Sequence, residues 1–182
     1  MFDLVAGTVY RRFKLISQFY SQRTDGDFIK KLNISSLPFG LAIALGISLV
    51  GSFKAGYSWW HMFGAQTVFF SAIIHCLTQT WMSFLMVQDG VNSLFMARLR
   101  LMLSLIITTC AILTNWYGYQ ADKLFHGSDQ LHWKPSDGGY PEHIISSATE
   151  WTLVFCLIAA IGTAINEMDL KNRLQYKLKY FS

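Results

Sequence analysis

The chain is 182 residues long, 52% hydrophobic and 14% charged, with a mean hydropathy of +0.30. Soluble domains carry about 25% charged residues, so this composition excludes a disordered chain and argues against a water-soluble domain. The net charge of +4 is unevenly spread: the stretches 32–53, 55–88, 101–121 and 151–166 hold no Asp, Glu, Lys or Arg.

A hydrocarbon core of about 30 Å takes roughly 20 apolar residues of helix, so each stretch predicts a span. The expected fold is all-α, a polytopic membrane helical bundle forming a single membrane domain, with four transmembrane helices at 33–53, 62–87, 99–117 and 144–166. Ahead of them, Met1–Tyr10 is apolar and Arg11 and Arg12 follow. That order inverts a signal peptide and resembles the end of a span leading into a cytoplasmic segment up to residue 32.

In the first span Gly40, Ala44, Ser48 and Ser52 form a stripe of small residues that lets a neighbouring backbone approach. Pro38 falls near its predicted start, where a helix accepts proline. The second span is the most polar. His61, Gly64 and Ala65 open it, and His75 lies near its middle with Ser71, Thr78 and Gln79 within one turn on the same face. An imidazole at that depth faces the bundle interior, either as part of a polar site or as an interhelical hydrogen bond.

The third span is followed by an outer loop, 118–143, in which Pro135, Gly138, Gly139 and Pro141 punctuate turns while Trp133 and Tyr140 suit the membrane interface. In the fourth span Glu150 sits six residues past Ile144, roughly 9 Å into the helix. It must be neutralised, paired or wet. His143 is two turns earlier on the same face, and His61 belongs to the same leaflet. A His, His, Glu set is able to hold zinc or to act as acid and base. Ligand spacing of the His-x-x-x-His kind is absent, so interhelical pairing or a lipid-headgroup contact is the competing reading. No catalytic residue, metal or cofactor is assigned.

Lys and Arg set the expected orientation. Arg11, Arg12, Lys14, Arg23, Lys30, Lys31, Arg98, Arg100, Lys171, Arg173, Lys177 and Lys179 fall on one side, and Lys54, Lys123 and Lys134 on the other. The bias places both ends of the chain and the tail 167–182 in the cytoplasm, and loop 118–143 on the luminal or extracellular side. The lipid bilayer is therefore the expected partner, with Arg11, Arg12, Lys14, Lys30, Lys31, Lys171 and Arg173 as cytoplasmic contacts to anionic phospholipid. Nucleic acid is not expected, since no basic face or nucleic-acid motif occurs. Cys76, Cys110 and Cys156 all fall inside spans, which predicts no disulfide. The small stripes also admit a helix-mediated oligomer.

The block Leu131-His-Trp-Lys-Pro-Ser-Asp-Gly-Gly-Tyr-Pro-Glu-His-Ile-Ile-Ser-Ser-Ala-Thr-Glu-Trp151 resembles the signature that precedes the last helix of the damage-regulated autophagy modulator (DRAM) family, within a superfamily that includes the FRAG and SFK proteins. His132, Trp133, Pro135, Gly139, Tyr140 and Trp151 carry that likeness. Tyr10-Arg-Arg-Phe-Lys14 resembles the basic motif after the family's second helix, His61-Met-Phe-Gly-Ala65 the start of its fourth, and Gln79 a glutamine further along it. The family generally has six spans, so the resemblance implies a chain lacking the first two.

It also implies a non-enzymatic multi-pass protein that promotes or regulates autophagy in lysosomal or endosomal membrane, with Golgi or plasma membrane as alternatives. The SFK branch implies organisation of a phosphoinositide kinase complex, and the FRAG branch glycosylphosphatidylinositol-lipid remodelling. Two function classes follow, a membrane regulator and a lipid-modifying enzyme using His61, His143 and Glu150. Transport is disfavoured, since no repeat or mid-span break is seen.

Overall fold

The structure, a computed structural model, describes residues 2–21, 23, 26–53 and 59–166. The described residues form five long helices and no strand: α1 (Phe2–Tyr20), α2 (Asp27–Ser52), α3 (Trp59–Gln88), α4 (Leu94–Leu124) and α5 (Tyr140–Asn166). Four of them, α2 to α5, are long and apolar enough to cross a membrane. The tail, with Lys171 and Arg173, lies outside the described residues.

The helices are longer than the predicted spans. At 1.5 Å per residue, the 31 residues of α4 extend about 46 Å, well beyond a hydrocarbon core of about 30 Å. The excess is polar and so has the sequence character of a connection: Asp122 and Lys123 end α4, and Glu142 and His143 begin α5. The outer loop proper is correspondingly shorter, 125–139. Pro38 lies well inside α2 rather than near its start.

A further difference is α1, which runs unbroken past Arg11, Arg12 and Lys14 to Tyr20. Its buried residues, Val5, Thr8, Val9, Arg12, Ile16 and Tyr20, recur every three or four positions and make one stripe. The basic residues hide this helix from a hydropathy reading.

Each helix packs on the next, α1 on α2, α2 on α3, α3 on α4 and α4 on α5, and α5 returns to touch α1. The contrast between inside and outside identifies the solvent. Trp81, Phe95, Trp116, Trp151 and Phe155 point outward, whereas Ser36, Ala44, Ser71, Ala72, Ser83, Ala97 and Ser104 are buried. Large apolar residues outside, with small and hydroxylated ones joining the apolar core Ile43, Val68, Phe69, Ile107 and Leu153 inside, suit lipid, where packing and interhelical hydrogen bonds hold helices together.

α2 and α3 approach backbone to backbone at a pair of glycines. A Cβ added at Gly46 would lie 2.7 Å from the Gly64 carbonyl oxygen, and one at Gly64 2.9 Å from the Gly46 carbonyl oxygen. Of the predicted small stripe, Gly40 and Ala44 are buried against neighbours and Ser52 is exposed.

One end of the bundle carries the α1–α2 and α3–α4 connections and is called the basic end. There Ile16, Tyr20, Ile29, Met82 and Met86 make a separate apolar cluster. Tyr20 donates its hydroxyl to Asp89 at 2.5 Å, and Arg23 approaches the same carboxylate at 3.7 Å. The opposite end carries the loop 125–139.

Candidate functional site

α3 is the most buried of the four spanning helices, which explains why it tolerates so much polarity. The polar groups of its basic half join its neighbours. His75, buried, donates from Nδ1 to the Ser36 carbonyl of α2 at 3.1 Å, with Ser36 Oγ 3.0 Å from the same nitrogen. Gln79 donates to Ser36 Oγ at 2.9 Å, and Thr80 shares a hydrogen bond of 2.8 Å with Ser104 of α4. Gly40 makes the space: a Cβ there would stand 2.8 Å from His75 Cε1 and 2.5 Å from Val9 Cγ1.

Arg100, buried in α4, clamps three helices. Its Nη1 donates to Ser83 Oγ of α3 at 2.7 Å, its Nε to Thr163 Oγ1 of α5 at 2.9 Å, and its Nη2 to the Thr163 carbonyl at 3.1 Å. Asn33 ties α2 to α1 through the Phe13 carbonyl at 2.9 Å and Ser17 Oγ at 3.0 Å. Arg12 of α1 is also buried and lines the same cavity as His75, Gln79 and Arg100.

Sequence reasoning thus locates His75 and Gln79 in a polar interior but assigns Arg12 to a membrane surface. The structure corrects the latter: Arg12 lies on the inward stripe of α1, while Arg11, Lys14 and Lys31 are exposed. Lys30 is partly exposed and bonds Asp27 at 2.9 Å. The sequence does not single out Arg100, Asn33, Ser36, Ser83 and Thr163 as interior groups. Arg100 counts there as a topology charge, and the available signal is its place in the first turns of a predicted span.

At the other end, His61, His143 and Glu150 do not share a hydrogen bond or form a metal-ligand cluster among the described residues. His61 Nδ1 donates to the Phe53 carbonyl at 2.9 Å. His143 stacks on Trp133, centroids 4.3 Å apart. Glu150 is half-buried.

The signature residues instead build the loop. Trp133 lies against Phe125, centroids 4.4 Å apart, and donates its indole N–H to the Gly138 carbonyl at 2.7 Å. Gly138 and Gly139 hold φ of 77° and 65°, the left-handed region that favours glycine. A Cβ at Gly139 would also stand 2.6 Å from the Ala121 carbonyl oxygen. Pro135 opens a 3₁₀ turn closed by Asp137, which accepts from the Lys134 N–H at 2.9 Å. His132, exposed, pairs with Asp129 at 2.7 Å, and that contact holds the Asp129 carboxyl below its usual range. Tyr140 begins α5, and Trp151 is an outward residue of α5.

The family model for the Frag1/DRAM/Sfk1/Cwh43P N-terminal domain matches residues 3–171. The chain belongs to this Frag1/DRAM/Sfk1 family. Among curated relatives of the family, DNA damage-regulated autophagy modulator protein 2 of Rattus norvegicus is 31% identical over 170 residues, covering 89% of this chain and 61% of the relative. The Homo sapiens protein of the same name is 29% identical over 174 residues, 91% of this chain and 62% of the relative. DNA damage-regulated autophagy modulator protein 1 of Xenopus laevis is 29% identical over 154 residues, 84% of this chain and 61% of the relative. The chain therefore spans about three fifths of the length of these relatives. No solved structure matches it. Within the Frag1/DRAM/Sfk1 family domain lie both the buried polar network and the loop that the signature builds.

Proposed function

We propose that this protein is a non-enzymatic multi-pass regulator that promotes or regulates autophagy from a lysosomal or endosomal membrane. The basic end faces the cytoplasm in this reading, where Arg11, Lys14 and Lys31 contact anionic phospholipid or a phosphoinositide kinase complex. The supporting observation is similarity over 89% of the chain to a protein named an autophagy modulator. The division of labour among the polar groups agrees with it. His75, Gln79, Asn33 and Arg100 are engaged in interhelical hydrogen bonds, and His143 is stacked beneath Trp133, so these groups have architectural work.

Glu150 supports a second reading, a lipid-modifying or lipid-organising role. It is a carboxyl in the membrane-spanning part of α5 with no hydrogen bond or ion pair among the described residues, and intramembrane acids mark functional sites by default.

Autophagic flux in cells lacking the endogenous protein, rescued with wild type or Glu150→Gln, separates the two. The regulator reading expects Glu150→Gln to rescue as well as wild type at equal abundance. Loss of rescue by a normally abundant, correctly sorted Glu150→Gln overturns it in favour of the lipid-modifying reading.

A further inference from the structure

Two carboxamides stand on the outside of the bundle, where the surroundings are hydrocarbon. Gln66 of α3 and Asn115 of α4 are both exposed, and both fall within the uncharged stretches of their helices. Gln66 Nε2 donates to Asn115 Oδ1 at 2.7 Å, and Asn115 Nδ2 donates to the Ala111 carbonyl at 2.8 Å. One N–H of each amide, and Gln66 Oε1, have no further partner among the described residues. Facing lipid, such groups cost free energy until something matches them. They lie in an open groove flanked by Phe70, Ile112, Trp116 and Tyr119, and only α3 and α4 line it.

The spacing along both helices points to what covers the groove. Phe63, Phe70 and Leu77 of α3, and Leu105, Ile112 and Tyr119 of α4, are all exposed and recur every seven residues, the repeat that keeps a seam turned toward a packed helix. An acyl chain lying there matches the apolar part of the face and leaves the amides as they are. A second copy matches both. A two-fold axis along the membrane normal keeps every residue at its own depth, so each Gln66 meets its equivalent, and a carboxamide is its own complement in donors and acceptors. The small stripe of α2 is not available for this purpose, since Gly40 and Ala44 are buried inside the bundle.

We propose that the α3–α4 face is the contact between two copies of this chain. In this two-fold dimer the free N–H of each Gln66 donates to Gln66 Oε1 of the other copy, Asn115 holds the amide in place, and Phe70, Ile112 and Trp116 pack around the pair. The proposal rests on the membrane-spanning helices and is independent of the autophagy role: it is decided in vesicles, whereas that role is decided in cells.

The test reconstitutes the full chain, with Cys76, Cys110 and Cys156 replaced by alanine, in phosphatidylcholine vesicles. Energy transfer between copies labelled at Ser128→Cys is followed as lipid dilutes the protein. Gln66→Leu with Asn115→Leu keeps the bulk and apolarity of the face, and is expected to need about tenfold more protein per lipid for the same transfer, from loss of two interhelical hydrogen bonds. In unlabelled protein, Ile112→Cys should crosslink copy to copy under a membrane-permeant oxidant, and Phe155→Cys, about as exposed but on α5, should not. Association unchanged by the two leucines, crosslinking through Phe155→Cys as strong as through Ile112→Cys, or a monomer at every dilution overturns the proposal. A monomer that retains a lipid gives the groove to lipid instead. The crosslink leaves both amides intact, so it decides the matter even if the leucine variant fails to fold.

Discussion

Gly40 shows how much a single side chain is worth in this interior. With Val9 and His75 filling the space a Cβ would take, Gly40→Ala must push one of them off its rotamer. A loss of about 1–3 kcal/mol is expected, read as a lower unfolding midpoint in detergent, while the same change at Gly51, which has open space, leaves the midpoint in place or raises it. Trp133→Phe keeps the contacts to Phe125 and His143 but removes the hydrogen bond to Gly138. It should cost about 0.5–1.5 kcal/mol, seen as faster proteolysis of the loop. Asp129 behaves differently with pH. Its carboxyl is held down mainly by the hydrogen bond from His132, so its contribution is complete above the ordinary value of 3.8 and is lost as pH falls through the lower folded value. Protection of the Leu131 amide, which donates to Asp129 Oδ1 at 2.9 Å, should therefore persist from neutral pH to about pH 5 and disappear only in stronger acid. Loss of protection already at mildly acid pH would contradict this assignment.

At the scale of elements, polar clamps and glycine contacts decide which helices meet. Arg100→Lys keeps a charge but cannot reach Ser83 and Thr163 together, so α3, α4 and α5 lose a shared anchor. About 1–3 kcal/mol of stability should go with it, and cysteine crosslinking between the basic ends of α4 and α5 should weaken. The sequence is informative about elements where apolarity and length coincide. α2, α3 and the middle of α4 and α5 follow from uncharged runs alone. α1 does not, because Arg11, Arg12 and Lys14 lower its hydropathy although its buried stripe has helical spacing. Arg12 and Arg100 are invisible as interior residues for a related reason: a basic residue near a span end has the same sequence appearance whether it faces phosphate, cytosol or a cavity. His75 and Gln79 are legible because a polar side chain at mid-span is costly against lipid and turns to the bundle interior. That His61, His143 and Glu150 form no metal-ligand cluster among the described residues is not, since one leaflet holds many azimuths and sequence gives none between helices.

For the whole molecule, the two ends have different characters. The basic end is closed by the Tyr20–Asp89 hydrogen bond and the apolar cluster around Met82 and Met86, and the opposite end is closed by the loop folded on Trp133. Between them the outer surface is aromatic and aliphatic, and the interior combines an apolar cluster with buried hydroxyl, imidazole and guanidinium groups, an arrangement that suits lipid outside. A bundle that spans the membrane with its basic end in the cytoplasm exposes its two ends to different compartments. Labelling with a membrane-impermeant maleimide in sealed microsomes, whose outer face is cytoplasmic, reads this out in a background with Cys76, Cys110 and Cys156 replaced by alanine. Ser21, exposed beside the α1–α2 connection, and Ser128, exposed in the loop, provide the two positions. Ser21→Cys should react in intact vesicles and Ser128→Cys only after detergent. Reaction of Ser128→Cys in intact vesicles, with Ser21→Cys protected or equally labelled, would contradict the orientation.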